Sequence, residues 1–253
     1  MAERADAAPS AAKNETVETL KAIVVAVAIF LAFRILAFQP FTIPSSSMEP
    51  QLQIGDYVIV SKYPYGWSRH SIPFSPPLFS GRIFERRPAR GDIIVFKHPT
   101  DGIDMIKRLV GLPGDRIQFR EGVLYVNGEA AAREPLAPEA VRTEFGTLEF
   151  ARFRETLDTG KSYITYDRPD RDPEVNDTGV FVVPEGHYFF VGDNREDSRD
   201  SRLPKGYGVG YVPAENLVGR AELVLLSWNE EASIWKPWTW FTEFRGDRSF
   251  RWL

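Results

Sequence analysis

The sequence contains no cysteine among its 253 residues, which excludes disulfide bonds, thiolate catalysis and cysteine-ligated metal sites. Histidine is scarce as well: only His70, His98 and His187 are present, and no two of them have the spacing of paired ligands on a helix. The net charge of −4 gives no excess of positive charge, so the composition does not indicate nucleic-acid binding. We therefore expect neither a histidine-rich metal site nor a nucleic-acid partner.

A long apolar run lies near the N-terminus, at residues 19–38. No polar residue occurs between Ala22 and Phe33, and 20 helical residues span about 30 Å, the thickness of the hydrocarbon core of a bilayer. Arg34 is close enough to the end of the run for its side chain to reach the membrane interface. We predict a transmembrane helix at 19–38 after a disordered polar tail at 1–18. The alternatives are a cleaved secretory signal, although no small-x-small cleavage site follows, and a buried helix of a soluble protein.

The basic residues around this run predict its orientation. Arg4, Lys13 and Lys21 precede its apolar part, whereas no lysine or arginine follows Phe38 until Lys62. Because cytoplasmic flanks are richer in lysine and arginine, the tail is expected in the cytoplasm and the remainder of the chain on the outer side of the membrane.

Beyond residue 39 the sequence consists of short β-type runs separated by Gly-Asp, proline and Asn-Gly, with no long helical period. The stretch VNGE at 126–129 has the chemistry of a tight hairpin turn. A more polar stretch around 130–178 indicates an insertion with long loops. The predicted fold is mainly β: an N-terminal transmembrane helix and a mostly antiparallel β-sheet domain. Its core comprises 39–118 and 186–253, and 119–185 form an inserted cap subdomain.

The C-terminal segment is rich in tryptophan, and the sequence leaves two interpretations of this feature open. One is packing in the core, and the other is an aromatic surface at the bilayer interface, where tryptophan is favoured. The residues concerned are Trp228, Trp235, Trp238, Trp240 and Trp252.

The stretch PSSSMEP at 44–50 offers three adjacent hydroxyl groups. In an extended backbone, Ser45 and Ser47 share one face and Ser46 points away from it, so two hydroxyls can converge on one site. By itself such a stretch is more often a turn or a helix cap without any chemistry.

A nucleophilic serine needs a base, and the sequence offers histidine or lysine. None of the three histidines lies in a telling motif. A lysine base must be kept neutral against an ordinary pKa of about 10.4, which requires burial in apolar surroundings. Lys107 in DMIKRLVGL and Lys97 in IVFKHP both lie in such strands, and these physical arguments do not choose between them.

Four segments then resemble, in order, the conserved boxes of bacterial type I signal peptidases, which are membrane-anchored serine-lysine proteases. They are FTIPSSSMEPQLQIGDYVIVSKYPYG (41–66), RGDIIVFKHP (90–99), DMIKRLVGLPGDRI (104–117) and VGDNREDSRDSR (191–202). Four ordered boxes after an N-terminal anchor are far more specific than a lone serine motif.

The resemblance implies a role for each matching residue. Ser47 is the nucleophile and Lys107 the general base, in preference to Lys97. Ser45 and the backbone N–H of Ser47 form the oxyanion hole, and Ser198 orients the lysine. The neighbouring charged residues of the last box support the site structurally: Asp193, Asp200 and Arg202.

The sequence departs from the family pattern at two positions. Ser46 stands where many members have glycine. Met105 stands where an aromatic residue often precedes the IKR motif, here residues 106–108. The first is expected to have little effect, because its side chain should point away from the site, whereas the second could shift side-chain preference slightly.

The resemblance also implies substrates and a location. Substrates are signal peptides of Sec- or Tat-exported preproteins, with small residues at positions −1 and −3, and no metal or organic cofactor is needed. The enzyme is expected in the inner (plasma) membrane as a single-pass protein, with the catalytic domain on the periplasmic side. Expected walls of the substrate pockets are Phe41, Ile43, Pro44, Met48, Leu52 and Ile106.

Three other functions remain as alternatives. A self-cleaving repressor would need a DNA-binding domain where this chain has an apolar run. A pilus-assembly peptidase of conjugation systems shares the serine and lysine boxes and is harder to separate. The third is a membrane-tethered β domain that binds exported proteins without cutting them.

Overall fold

A computed structural model describes residues 9–143, 146–168, 173–204, 206–229, 231–232 and 235–253. The first element is helix α1, Pro9–Leu36. It begins inside the stretch predicted to be a disordered tail, so that prediction is wrong for residues 9–18, and residues 1–8 lie outside the described residues. The physical reason is that neither glycine nor proline interrupts residues 10–36, while a proline at the first helical position is favourable.

The helix α1 is apolar, and the side chains that the structure describes in it are exposed except near its C-terminal end, where Phe33 meets Phe38. Its segment Glu15–Leu36 has a mean hydropathy of 2.3 over its most apolar window, and none of that window is buried. Large side chains such as Ile29 and Phe30 are more than half exposed. The alternative of a helix buried in a soluble core is therefore wrong, and the length and composition of α1 suit a membrane span.

The described residues beyond α1 are mainly β, as predicted. In chain order the strands are β1 Phe38–Thr42, β2 Asp56–Ser61, β3 Trp67–Ser68, β4 Arg82–Ile83, β5 Ile93–Lys97, β6 Asp104–Gly111, β7 Arg116–Arg120, β8 Val123–Val126, β9 Glu129–Ala130, β10 Ala132–Thr143, β11 Gly146–Thr156, β12 Ser162–Asp167, β13 Phe181–Val182, β14 His187–Val191, β15 Val212–Pro213, β16 Leu217–Ser227 and β17 Arg251–Trp252. Two short helices accompany them, α2 Pro173–Asn176 and α3 Thr239–Thr242.

The largest sheet has the strand order β1-β2-β16-β5-β6-β14-β15, with β17 paired to β16. All of these pairs are antiparallel. Strand β5 is buried on both faces: Val95 joins one apolar cluster with Met48 and Leu52, whereas Phe96 joins a second cluster with Phe190. The central strands are consequently apolar at successive positions, as strands covered on both faces require.

Strands β7 to β13 form two further sheets, with strand orders β10-β11-β12 and β13-β7-β8-β9. The prediction of long loops around 130–178 is therefore wrong in the described part of that segment. Strand β10 contains Pro135 and Pro138, and its register shifts between Leu136 and Glu139. It tolerates them because it is an edge strand, where a missing N–H costs no ladder bond. The hairpin predicted at VNGE is present, with Asn127 and Gly128 at positive φ between β8 and β9.

The C-terminal tryptophans separate into two groups. Trp228 packs its ring against Tyr57 and Phe244. The other four are strongly exposed, with Trp235 86 % and Trp252 75 % accessible. Core packing is therefore the wrong interpretation for Trp235, Trp238, Trp240 and Trp252.

Candidate active site

The three serines lie at the turn that connects β1 to β2. Ser45 is extended, but Ser46–Met48 form a single 3₁₀ turn, so the assumption of an extended backbone throughout this stretch is wrong. The Ser45 and Ser47 hydroxyl oxygens nevertheless lie 3.4 Å apart, while the Ser46 hydroxyl is turned towards Asp197. Met48 is fully buried, and its burial fixes the turn against the sheet.

Lys107 lies on β6, between β5 and β14, and its side chain reaches the serine turn. Its Nζ donates to Ser47 Oγ at 2.5 Å and to the backbone oxygen of Ile106 at 3.0 Å. Lys107 is only 3 % exposed and Ser47 only 6 %. The geometry therefore places an amine within proton-transfer distance of a hydroxyl, in a site largely removed from water.

The surroundings of Lys107 favour its neutral form. Burial lowers the pKa of Lys107 to about 8, although the nearby carboxylates of Asp200 and Asp193 act in the opposite direction. With that pKa about a tenth of the molecules carry a neutral amine at pH 7. A lysine in this condition can accept the proton of Ser47.

The other bases weighed from the sequence lie in different surroundings. Lys97 forms an ion pair with Asp104 at 3.0 Å. His98 contacts the backbone oxygen of Gly208 and the carboxylate of Asp101. His187 contacts the backbone oxygen of Glu185. Within the described residues, the structure thus brings Lys107, and no histidine, to Ser47.

Two aspartates close to the lysine are each paired with an arginine. Asp200 accepts from Arg202 Nε at 2.9 Å and from the N–H of Gly192 at 2.9 Å. Burial alone would raise the pKa of the Asp200 carboxyl, but the Arg202 guanidinium holds it below its usual range. Asp193 accepts two hydrogen bonds from Arg108, at 2.7 and 2.6 Å.

Ser198 lies beside this cluster. Its hydroxyl is buried, but among the described residues it forms no hydrogen bond with Lys107 or Ser47. Gly192 explains how closely the segments approach: a Cβ there would lie 2.3 Å from Ser198 Oγ and 2.4 Å from the backbone oxygen of Ser47. Only glycine allows the two segments to meet at this point.

The residues expected to line substrate pockets divide into two sets. Met48 and Leu52 have no exposed surface and belong to the core beneath the serine turn, where Ile43 is also buried. They support the site from behind and do not line an open pocket. Partly or fully exposed beside them are Phe41, Pro44 and Ile106.

Sequence reasoning missed three residues that hold the site together: Arg108, Gly192 and Asn194. Arg108 binds Asp193, Gly192 allows the close approach described above, and Asn194 donates to the backbone of the serine turn. All three stand inside the quoted boxes. Their presence in those boxes was visible in the sequence, but their partners were not.

The antiparallel β domain and the buried lysine–serine pair fit the class of serine peptidases. A family model described as signal peptidase, peptidase S26, matches residues 16–228. The signal peptidase I of Rickettsia typhi is 40 % identical over 237 residues, covering 84 % of this chain and 85 % of that protein. That of Rickettsia massiliae is 39 % identical over 268 residues, covering 94 % and 95 %.

A crystal structure of a signal peptidase I from Enterococcus faecalis V583 is 29 % identical to this chain. It covers 53 % of this chain and 97 % of its own, with a TM-score of 0.32. The family match and the identity to the rickettsial proteins show that this chain belongs to the S26 family of signal peptidases. The resemblance inferred from the four boxes is thereby confirmed.

The burial of Lys107 predicts a gain in stability when its amine is removed. At pH 7 a pKa lowered from 10.5 to about 8 corresponds to roughly 3 kcal/mol of destabilisation, and the lost hydrogen bond to Ser47 offsets about 1 kcal/mol. We expect Lys107→Met to raise the free energy of unfolding by about 2 kcal/mol, measured by thermal unfolding in detergent.

The pH dependence of that gain provides its control. Between pH 8 and 10.5 the unfolded wild type binds more protons than the folded one, so its stability rises with pH. The advantage of Lys107→Met should therefore be complete below pH 8 and disappear towards pH 10.5. Lys97→Met, at an ion-paired surface lysine, should give no such gain. Destabilisation by Lys107→Met at every pH would contradict the lowered pKa.

Proposed function

We propose that this chain is a membrane-anchored serine endopeptidase that removes signal peptides from exported preproteins through a serine–lysine dyad. The observation that carries the proposal is the 2.5 Å hydrogen bond between buried Lys107 and Ser47. Family membership supports the substrate class, because the related proteins are signal peptidases.

The proposed reaction begins when Ser47 Oγ attacks the scissile carbonyl while neutral Lys107 takes its proton. The oxyanion accepts hydrogen bonds from the Ser45 hydroxyl and the Ser47 N–H, and one such donor is worth about 3–4 kcal/mol in comparable sites. The lysinium then protonates the leaving amine, and an acyl-enzyme forms. Lys107, neutral again, activates the water that hydrolyses it.

Recognition of substrates with small residues at positions −1 and −3, the A-x-A pattern, would be steric. The residues still open to solvent near the serine turn, Phe41, Pro44 and Ile106, are proposed to form shallow walls that accept alanine at positions −1 and −3. Met105, partly buried in the second core cluster, is close in sequence to these walls and is expected to have a minor influence on preference.

The membrane location rests on α1. It is an exposed apolar helix of sufficient length, and the positive flank predicts its N-terminus in the cytoplasm. The catalytic domain would then face the periplasm, where Sec- and Tat-exported preproteins emerge. The Nε1 of Trp67 donates to the backbone oxygen of Leu36 at 3.1 Å, so the β domain begins directly at the end of the helix and must lie near the bilayer surface.

Exposed aromatic side chains suit this position. Besides the four exposed C-terminal tryptophans, two phenylalanines are exposed. Phe74, in the loop after β3, is 103 % accessible, and Phe84, directly after β4, is 76 % accessible. Aromatic rings are favoured at the membrane interface. We propose that these side chains rest on the lipid headgroups.

The pKa of Lys107 predicts the pH profile of cleavage. Because the base must be neutral, kcat should rise about tenfold per pH unit below pH 8 and level off above it. The profile can be measured with detergent-solubilised protein and a peptide carrying an A-x-A site. A rate that levels off near pH 6.5 would instead indicate a histidine base.

Substitution of the dyad should abolish processing. Ser47→Ala and Lys107→Ala remove the nucleophile and the base, and we expect losses of at least about 10³-fold in kcat. Lys97→Ala and His98→Ala should stay within about twofold of wild type, because neither side chain contacts Ser47. Gel analysis of an A-x-A preprotein with the solubilised full chain measures all four.

The controls separate the alternatives. Wild-type protein that binds the preprotein but yields no product, while a known signal peptidase cleaves it, would favour the non-catalytic binding domain. Selective cleavage of pilin precursors would favour the pilus-assembly peptidase. Loss of activity in His98→Ala would contradict the choice of base.

Membrane contact of the C-terminal tryptophans can be tested by fluorescence. In vesicles containing brominated lipids, the reconstituted full chain should show quenched tryptophan emission. The quenched fraction should fall when Trp235, Trp238, Trp240 and Trp252 are replaced by phenylalanine. Trp228, packed against Tyr57 and Phe244, remains as the internal control, and Trp67, bonded to the end of α1, accounts for residual quenching. An unchanged quenched fraction would show that these residues do not touch lipid.

A further inference from the structure

Asn194 contacts the backbone on both sides of the nucleophile. It lies three residues beyond Val191, the last residue of β14, and is only 1 % exposed. Its backbone N–H donates to the carbonyl oxygen of Ser47 at 3.2 Å, and its side-chain Nδ2 donates to the carbonyl oxygen of Ser46 at 3.2 Å. One asparagine therefore restrains the two peptide groups that flank the Ser47 Cα.

The contact with Ser46 matters because that carbonyl shares a peptide group with the Ser47 N–H. A trans peptide is planar, so its N–H points opposite to its C=O, and any bond that fixes the direction of the oxygen also fixes the direction of the hydrogen. We infer that Asn194 is a positioning residue, which aims the Ser47 N–H at the oxyanion. This inference rests on the proposed function, in which that N–H is an oxyanion donor.

A second donor shares the Ser46 oxygen without replacing Asn194. The N–H of Glu49 donates to it at 2.9 Å, as expected within a 3₁₀ turn. That bond comes from the turn itself and moves with it. The Asn194 side chain belongs to a different segment and ties the turn to the rest of the site.

The cap subdomain holds Asn194 in place. Tyr166, on β12, donates its N–H to the oxygen of Asp193 and accepts from the N–H of Arg195, both at 2.9 Å. These bonds bracket Asn194, which pairs with Tyr166 in a parallel bridge. Tyr166 is 2 % exposed and packs on Phe150 of β11. A continuous path of hydrogen bonds thus leads from the cap sheet through Asn194 to the nucleophile turn.

The test uses Asn194→Asp in the full chain, because this change keeps the shape and replaces the donor by an oxygen that repels the Ser46 carbonyl. Asn194→Ala removes the donor without adding charge, which guards against misfolding of the first variant. The matched control is Asn216→Asp, since Asn216 is also buried and its Nδ2 donates to a backbone oxygen, that of Lys97, at 2.8 Å.

The probes are two peptide inhibitors that end in alanine and differ in one group. In the aldehyde, Ser47 Oγ adds to the carbonyl carbon, the carbonyl electron pair moves to the oxygen, and Lys107 takes the serine proton, which leaves an oxyanion in the hole. The corresponding alcohol binds the same subsites and cannot form an adduct. Inhibition constants do not depend on the fraction of folded enzyme, so their ratio remains valid for an unstable variant.

We expect Asn194→Asp and Asn194→Ala to lower kcat by roughly 10–100-fold, less than the roughly 10²–10³-fold that loss of a whole oxyanion donor costs, because the Ser47 N–H is misaligned and not removed. KM and the alcohol inhibition constant should change less than about threefold, while the aldehyde loses affinity in parallel with kcat. The pH profile of Asn194→Ala should keep the same midpoint, because Lys107 is untouched, whereas the added carboxylate of Asn194→Asp should move the midpoint upwards, so kcat is compared on the alkaline plateau. Asn216→Asp should change neither kcat nor the inhibition ratio.

Two results would overturn the inference. Equal losses for the aldehyde and the alcohol would show that Asn194 supports substrate binding or the fold and not the oxyanion. If the Asn194 variants behaved like Asn216→Asp, the hydrogen bond from Asn194 to Ser46 would have no effect on catalysis. The proposed function fails in a different way: the wild type would then show no cleavage and no preference for the aldehyde over the alcohol.

Discussion

The proposed serine–lysine dyad depends on removing one amine, that of Lys107, from water. Lys107 is placed on a strand with neighbours on both sides, and the serine turn covers the end of its side chain. An exposed lysine at this position would keep an ordinary pKa and would be charged at neutral pH, unable to accept a proton. The apolar sheet, the buried Met48 beneath the turn and the close approach at Gly192 all serve this one requirement.

The aspartates near the lysine present a problem that the structure solves with arginines. A bare carboxylate close to Lys107 would stabilise the lysinium and raise its pKa, and Asp200 and Asp193 do act in that direction. Each, however, is hydrogen-bonded to a guanidinium, Asp200 to Arg202 and Asp193 to Arg108. Burial remains the largest influence on the pKa of Lys107, so the two ion pairs do not cancel the desolvation on which the proposed base depends.

The sequence predicted the β fold, the apolar helix and the lysine that meets Ser47, because those features follow from periodicity, hydropathy and quoted motifs. It failed where the outcome depends on contacts between distant segments. The polarity of the first 18 residues predicts a tail, but α1 begins at Pro9 because residues 10–36 contain no helix breaker. The polarity of residues 130–178 predicts long loops, whereas β10 is an edge strand, which cannot be recognised without its partner. Met48 and Leu52 were expected in pocket walls, whereas packing beneath the turn buries them.

The segment that carries β7 to β13 is inserted between two paired strands. Strands β6 and β14 are neighbours in the sheet, and this segment lies in the connection between them. The inserted segment therefore leaves the pairing of β6 with β14 intact. Its strand β12 lies beside the loop that carries Asn194 and Ser198, where Tyr166 pairs with Asn194. The register of β12 matters for this contact, since a shift of one residue in β12 would turn the Tyr166 side chain to the other face of the strand and exchange the groups that bracket Asn194.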